Sequence, residues 1–157
     1  MKQIDLKNID EEMLKTHATW LAAVLGNGDT LLLEGDLGAG KSTLARAIIQ
    51  RFMAKYNSIE DVPSPTFTLV QTYEFPCVEI WHADLYRLSD VGEIEELGLV
   101  DAFDQAISLI EWPDRLGGLT PQSALHIQLM DRGDTRDLHL SWSDSKWESK
   151  LKEAGWA

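Results

Sequence analysis

Eight consecutive residues, Gly35-Asp36-Leu37-Gly38-Ala39-Gly40-Lys41-Ser42, carry the densest chemistry in the chain. They satisfy the spacing G-x-x-x-x-G-K-[ST], and the glycines at 35, 38 and 40 open backbone conformations that side-chain-bearing residues avoid. Successive N–H groups can then turn inward on the oxygen atoms of a phosphate. A helix that begins at Lys41 adds unpaired amides and roughly half a positive charge at the same place. Lys41 supplies a point charge between β- and γ-phosphates, Ser42 a hard hydroxyl oxygen suited to Mg²⁺, and Thr43 a further phosphate contact. The bland alternative is an ordinary glycine-rich turn, and a strand before the segment with a helix after it argues against that.

A phosphate cradle alone hydrolyses nothing; it needs a carboxylate for the metal and a group that orients the attacking water. Asp84 ends the run Val78-Glu79-Ile80-Trp81-His82-Ala83, and Glu111 ends Ile107-Ser108-Leu109-Ile110. Each therefore stands at the carboxyl end of an expected strand, the edge at which open α/β sheets bind ligands. Which of the two holds metal and which orients water stays open at this level, and either could instead cap a turn. Thr66, in Ser64-Pro65-Thr66-Phe67, could coordinate the metal or sense a γ-phosphate as part of a switch loop. Trp112 could lie against a nucleotide. His82, inside a strand alternation, reads as a packed or hydrogen-bonded histidine, and His17, His126 and His139 show no ligand spacing.

These groups need elements to position them. From Asp10, the carboxylates Glu11 and Glu12 and the apolar residues Leu14, Ala18, Leu21, Ala22 and Leu25 predict a helix stopped by Gly26 and Gly28. Thr30 to Glu34 predicts a short strand and Lys41 to about Lys55 a helix, so the cradle has both flanks it requires. Phe67 to Phe75 predicts a β-rich run and Val78 to Ala83 a strand. Ser89 or Asp90 starts an acidic helix that Gly98 ends, and Ala106 to Glu111 is a further apolar run before Pro113. Leu125 to Met130 and Leu138 to Trp142 predict a hairpin about Asp131-Arg132-Gly133-Asp134, and Trp147, Leu151 and Ala154 a closing helix. The pattern predicts an α/β fold with a largely parallel sheet flanked by helices.

The chain has 157 residues, within the range of one domain, and no linker-like tract divides it, so residues 1–157 are expected to form one domain. Lys and Arg total 14 against 26 Asp and Glu, a net charge of -12. That field repels phosphate backbones, so strong direct nucleic-acid binding is not expected, and any bound anion must be held by local geometry. The lone Cys77 has no partner for an internal disulfide and reads as a core or strand-entry residue rather than a reactive thiol. With no signal-like or membrane-length apolar stretch, the expectation is a cytoplasmic protein with no membrane attachment.

Four segments in order, GDLGAGKS, SPTFTLV, HADLYRL and IEWPDR, resemble the TsaE family, formerly called YjeE. The resemblance runs from about Ile4 to Arg136; its main departure is Ser42, where most members carry Thr, and both side chains offer a hydroxyl. It implies a P-loop NTPase-like three-layer sandwich with antiparallel edge strands. It implies an ATPase required for the threonylcarbamoyladenosine modification of tRNA, using ATP and Mg²⁺. Lys41 would contact phosphate, Ser42 and Glu111 would hold Mg²⁺, Thr66 would lie in a switch-like loop and Asp84 would orient water. The base would be approached by the region near Glu11 and the connection near Gly133. The implied partners are TsaB-like and TsaD-like proteins, one of which performs carbamoyl transfer, with ATP hydrolysis resetting their complex between cycles.

Two other classes share the cradle. A small-molecule kinase would pass the γ-phosphoryl to a hydroxyl, but such enzymes use a lid rich in Arg or Lys, and only Arg115 occurs between Asp114 and Pro121. A nucleotide-gated adaptor would bind without turnover. No Asn-Lys-x-Asp segment of the GTP-reading kind is present.

Overall fold

A computed structural model describes residues 1–58 and 60–156. Its strands are β1 (Lys2–Ile9), β2 (Thr30–Glu34), β3 (Val70–Phe75), β4 (Val78–Asp84), β5 (Ile107–Glu111), β6 (Leu125–Asp131) and β7 (Arg136–Trp142). Its helices are α1 (Glu11–Ala22), α2 (Lys41–Lys55), α3 (Gly92–Leu97), α4 (Leu99–Gln105) and α5 (Lys146–Glu153), with a 3₁₀ segment over Pro113–Leu119. The strands form one sheet in the order β1-β7-β6-β2-β5-β4-β3. At its centre β2 runs parallel to β5 and β6, and β5 parallel to β4. β3 closes one side and β7 with β1 the other, all antiparallel to their neighbours.

The alternation of side chains across the pleat explains the layers. Leu31 and Leu33 of β2 pack with Ile107 and Leu109 of β5 against Leu14, Ala18 and Leu21 of α1, Leu44, Ile48 and Ile49 of α2, and Trp147 and Leu151 of α5. Leu32 and Ile110 point the other way, onto Ile94 of α3, Leu99 and Phe103 of α4, and Leu116. Helices cover both faces, as the sequence predicts. α1 starts where Asp10 accepts a hydrogen bond from the Met13 amide at 2.7 Å, an N-cap contact that stabilises a helix by about 1 kcal/mol.

Three regions depart from expectation. β1 was not foreseen; Ile4 and Leu6 pack partly buried on the α1 side, and the strand is pinned where the Asn8 amide donates to Asp137 Oδ1 at 3.0 Å. The β-rich run does not start at Phe67: the Leu69 amide donates to the Pro65 carbonyl at 2.7 Å, so residues 65–69 form a turn and the strand begins at Val70. Helical structure also resumes after Gly98, since Leu99, Ala102 and Phe103 bury a second short face. Cys77 lies exposed in the β3–β4 turn at φ 70°.

Candidate functional site

Register places both carboxylates. Ile80 stands beside Ile107, His82 beside Leu109 and Asp84 beside Glu111 on the parallel pair β4 and β5. Residues two apart share a face, so His82, Asp84 and Glu111 project toward the α2 side at the carboxyl end of the sheet. β2 ends at the same edge, and the chain turns there through Gly35 to Gly40 into α2. Two glycines are obligatory in that turn. A Cβ on Gly35, at φ 150°, would stand 2.6 Å from the Leu129 carbonyl oxygen, and Gly40 caps α2 at φ 108° with Leu14 Cδ2 3.3 Å from any added Cβ.

The result is a cavity of about 380 Å³, within the range of small-molecule sites. It is lined by Gly38, Gly40, Lys41, Ser42 and Thr43 from the loop and helix start, by Thr66, Asp84, Glu111 and Trp112 from the sheet edge, and by Glu11, Leu37 and Arg136. Of the residues singled out from the sequence, Gly35, Ala39 and Gly133 are not in its wall. Gly35 borders a neighbouring hollow with Asp36, Trp112 and Asp114, Ala39 is buried behind the loop, and Gly133 lies in the turn between β6 and β7. From that same connection it is Arg136 that reaches the cavity, its Cδ and Nη1 3.5 Å from where a Gly40 Cβ would be. Among the described residues its guanidinium makes no ion pair. Nothing in the local sequence marks Arg136, because only the β6–β7 hairpin and its parallel register with β2 bring it beside the loop.

The Lys41 ammonium donates to the carbonyls of Gly35 and, at 3.1 Å, Asp36, and lies 4.2 Å from the centre of the Trp112 ring. Burial holds its pKa below the usual lysine range, while the charges of Glu111, Asp84 and Asp36 pull it upward. Trp112 itself takes a left-handed backbone (φ 58°), a conformation that costs an L-residue of order 1 kcal/mol. That turn sets its indole between Lys41 and Tyr86, whose ring centre is 4.7 Å away.

The two carboxylates have separate partners. Ser42 Oγ donates to Glu111 Oε1 at 2.8 Å, and Glu111 Oε2 lies 2.6 Å from His82 Nε2. Asp84 Oδ2 accepts from Thr66 Oγ1 at 3.2 Å and Oδ1 from the Tyr86 amide at 3.0 Å. Among the described residues no three His, Cys, Asp or Glu side chains form a ready-made metal cluster. The donor set nevertheless fits a hard cation. With its proton directed at Glu111, the Ser42 hydroxyl keeps its lone pairs free, two carboxylates stand alongside, and Mg²⁺ ordinarily completes an octahedron with water and phosphate oxygen.

A strand, glycine loop and helix at the carboxyl edge of a parallel sheet core, with helices on both faces, define a P-loop NTPase-like α/β sandwich. Known proteins agree with that class and narrow it. The model of the family "Threonylcarbamoyl adenosine biosynthesis protein TsaE" matches residues 8–138. The TsaE protein of Rickettsia bellii is 41% identical over 128 residues, 82% of this chain and 87% of its own length. That of Bacillus subtilis is 34% identical over 155 residues, 98% of this chain and 94% of its own. The crystal structure of Bacillus subtilis YdiB superposes with a TM-score of 0.75 at 27% identity, covering 98% of this chain and 95% of that one. The chain belongs to the TsaE family of tRNA threonylcarbamoyladenosine biosynthesis. Among the described residues, no helix is long and apolar enough to cross a membrane.

Proposed function

We propose that the chain binds ATP with Mg²⁺ in the cavity at the start of α2 and hydrolyses it, and that this turnover serves threonylcarbamoyladenosine formation through TsaB-like and TsaD-like partner proteins. The observation that carries the reading is the convergence of the Gly38–Thr43 junction with Asp84 and Glu111, adjacent in register on β4 and β5, in one cavity.

Loop amides and the α2 terminus would hold the phosphates, and Lys41 would leave the Gly35 and Asp36 carbonyls to lie against the β- and γ-phosphates. That exchange favours an anionic ligand, because the partly desolvated ammonium gains a full negative partner. Arg136, beside Gly40 of the same loop, would add a second cation. Ser42 and Glu111 would hold Mg²⁺, which when bound neutralises charge on the β- and γ-phosphates. Asp84, with both oxygens engaged by the protein, would orient a water by the lone pairs left over, and Thr66 would couple its loop to the γ-phosphate. Glu11 and Trp112 border the cavity where the rest of the nucleotide would extend.

The test combines the purified chain with purified TsaB-like and TsaD-like proteins, with and without Mg²⁺ and ATP, and measures complex formation and phosphate release. Nucleotide-dependent assembly with free phosphate as product supports the reading. Phosphate appearing on a small-molecule acceptor, or assembly and turnover both indifferent to ATP, overturns it.

A further inference from the structure

Deep behind the cavity wall, His82 is 1% exposed and sits on β4 among apolar neighbours, a costly position for an imidazole unless its nitrogens are engaged. Among the described residues only one is: Nε2 lies 2.6 Å from Glu111 Oε2, while Nδ1 is buried and meets no hydrogen-bond partner there. An ionised carboxylate only accepts, so Nε2 is the protonated nitrogen and donates. Glu111 is itself 2% exposed, and its other oxygen receives the Ser42 hydroxyl proton. The three side chains thus form one line, His82 Nε2–H to Glu111 Oε2, then Ser42 Oγ–H to Glu111 Oε1.

We propose that His82 is a positioning residue for the cation site: by fixing Oε2 it turns Oε1 toward Ser42 and so sets the direction in which the Ser42 lone pairs face an incoming Mg²⁺. The proposal rests on the Mg²⁺–ATP reading above, and adds a residue that touches neither metal nor nucleotide. Without the imidazole, Glu111 Oε2 becomes a buried acceptor without a donor, and the carboxylate rotates toward water or toward Lys41. Partners of this kind govern metal affinity as strongly as many ligands do. The register explains why β4 can supply one: His82 shares the face of Asp84 and Glu111 but stands one pleat deeper, beside Leu109, where it reaches the carboxylate without entering the cavity.

The experiment measures Kd for a non-hydrolysable ATP analogue with Mg²⁺ and with EDTA, in the parent chain, His82→Leu and His82→Gln. In His82→Leu the advantage conferred by Mg²⁺ should fall about tenfold or more while the metal-free Kd stays within about twofold, since second-layer partners carry roughly 10–100-fold in metal affinity. His82→Gln, which places an amide donor near Nε2, should recover most of that advantage. An unchanged Mg²⁺ advantage in His82→Leu, or a metal-free Kd weakened by the same factor, overturns the positioning role. If the parent itself shows no Mg²⁺-dependent binding, the nucleotide reading fails first, and the variants are not needed to see it. Should His82→Leu not fold, His82→Gln and the ¹⁵N spectrum of the parent's histidine rings decide: a proton on Nε2 of His82 is required, and a proton on Nδ1 alone contradicts the proposal.

Discussion

Asp84 and Glu111 are neighbours in register at one sheet edge, yet they are held in opposite ways. Glu111 is clamped through both oxygens by side chains of two regular elements, Ser42 at the start of α2 and His82 in β4. Asp84 leans on a turn: one oxygen meets the Tyr86 amide, and the other meets Thr66 in a segment whose next residue, Phe67, is 83% exposed. The Thr66 contact is also the longer, 3.2 Å against 2.8 Å from Ser42. Buried, doubly tethered groups keep their geometry, whereas loop-borne contacts open at low free-energy cost. On the proposed Mg²⁺–ATP reading, the Glu111 half would be the fixed cation site and the Asp84 half the part that responds to the terminal phosphate.

That contrast can be broken by substitution. Asp84→Asn should lower steady-state phosphate release by about a hundredfold or more, the scale of losing a group that orients or deprotonates water, while the Kd for Mg²⁺–ATP stays near the parent value. A matching loss of affinity would place Asp84 on the metal instead. Glu111→Gln should do the reverse, reducing the Mg²⁺ advantage in nucleotide binding by about tenfold or more, by analogy with the loss of charge beside a metal, as calorimetry with and without EDTA would read. Thr66→Val should cost turnover only about threefold to tenfold, one moderate hydrogen bond's worth, and should leave Mg²⁺-dependent affinity unaltered.

The smallest expected effect is on stability. Burial lowers the Lys41 pKa in the folded chain, so between that value and the unfolded one near ~10.4 the unfolded chain binds more protons and stability rises with pH. Below that window the folded state carries the cost of a partly desolvated charge. Lys41→Met should therefore raise the melting temperature of the nucleotide-free protein slightly at neutral pH, and the gain should shrink toward pH 10. A gain independent of pH would mean that packing, not charge, is responsible.

Most of the cavity lining was legible, because its parts are local or lie at element ends. The loop glycines with Lys41 and Ser42 carry their meaning in sequence spacing, and Asp84 and Glu111 each follow an apolar run that must be a buried strand. What stayed hidden depends on pairing between distant strands. Arg136 reaches the cavity only because β7 folds back on β6, and β6 lies beside β2. His82 stood out as a polar residue in an apolar alternation, and the expectation of a hydrogen-bonded core histidine was right in kind; its partner follows from the β4–β5 register, which no single segment encodes. β1 carries little signal in the sequence because an edge strand buries only one face, leaving Ile4 and Leu6 as a weak alternation among polar residues.

The central claim, that the Gly35 to Ser42 turn and its lysine grip a magnesium-bound triphosphate, is tested most directly by titrating Mg²⁺–ATP into the folded parent and into Lys41→Ala by calorimetry. Saturable heat in the parent, lost or weakened by about a hundredfold in the variant as expected on removing a charge-assisted phosphate contact of about 3 kcal/mol, is the predicted result. Equal binding by both chains, or no heat from a demonstrably folded parent, would contradict it.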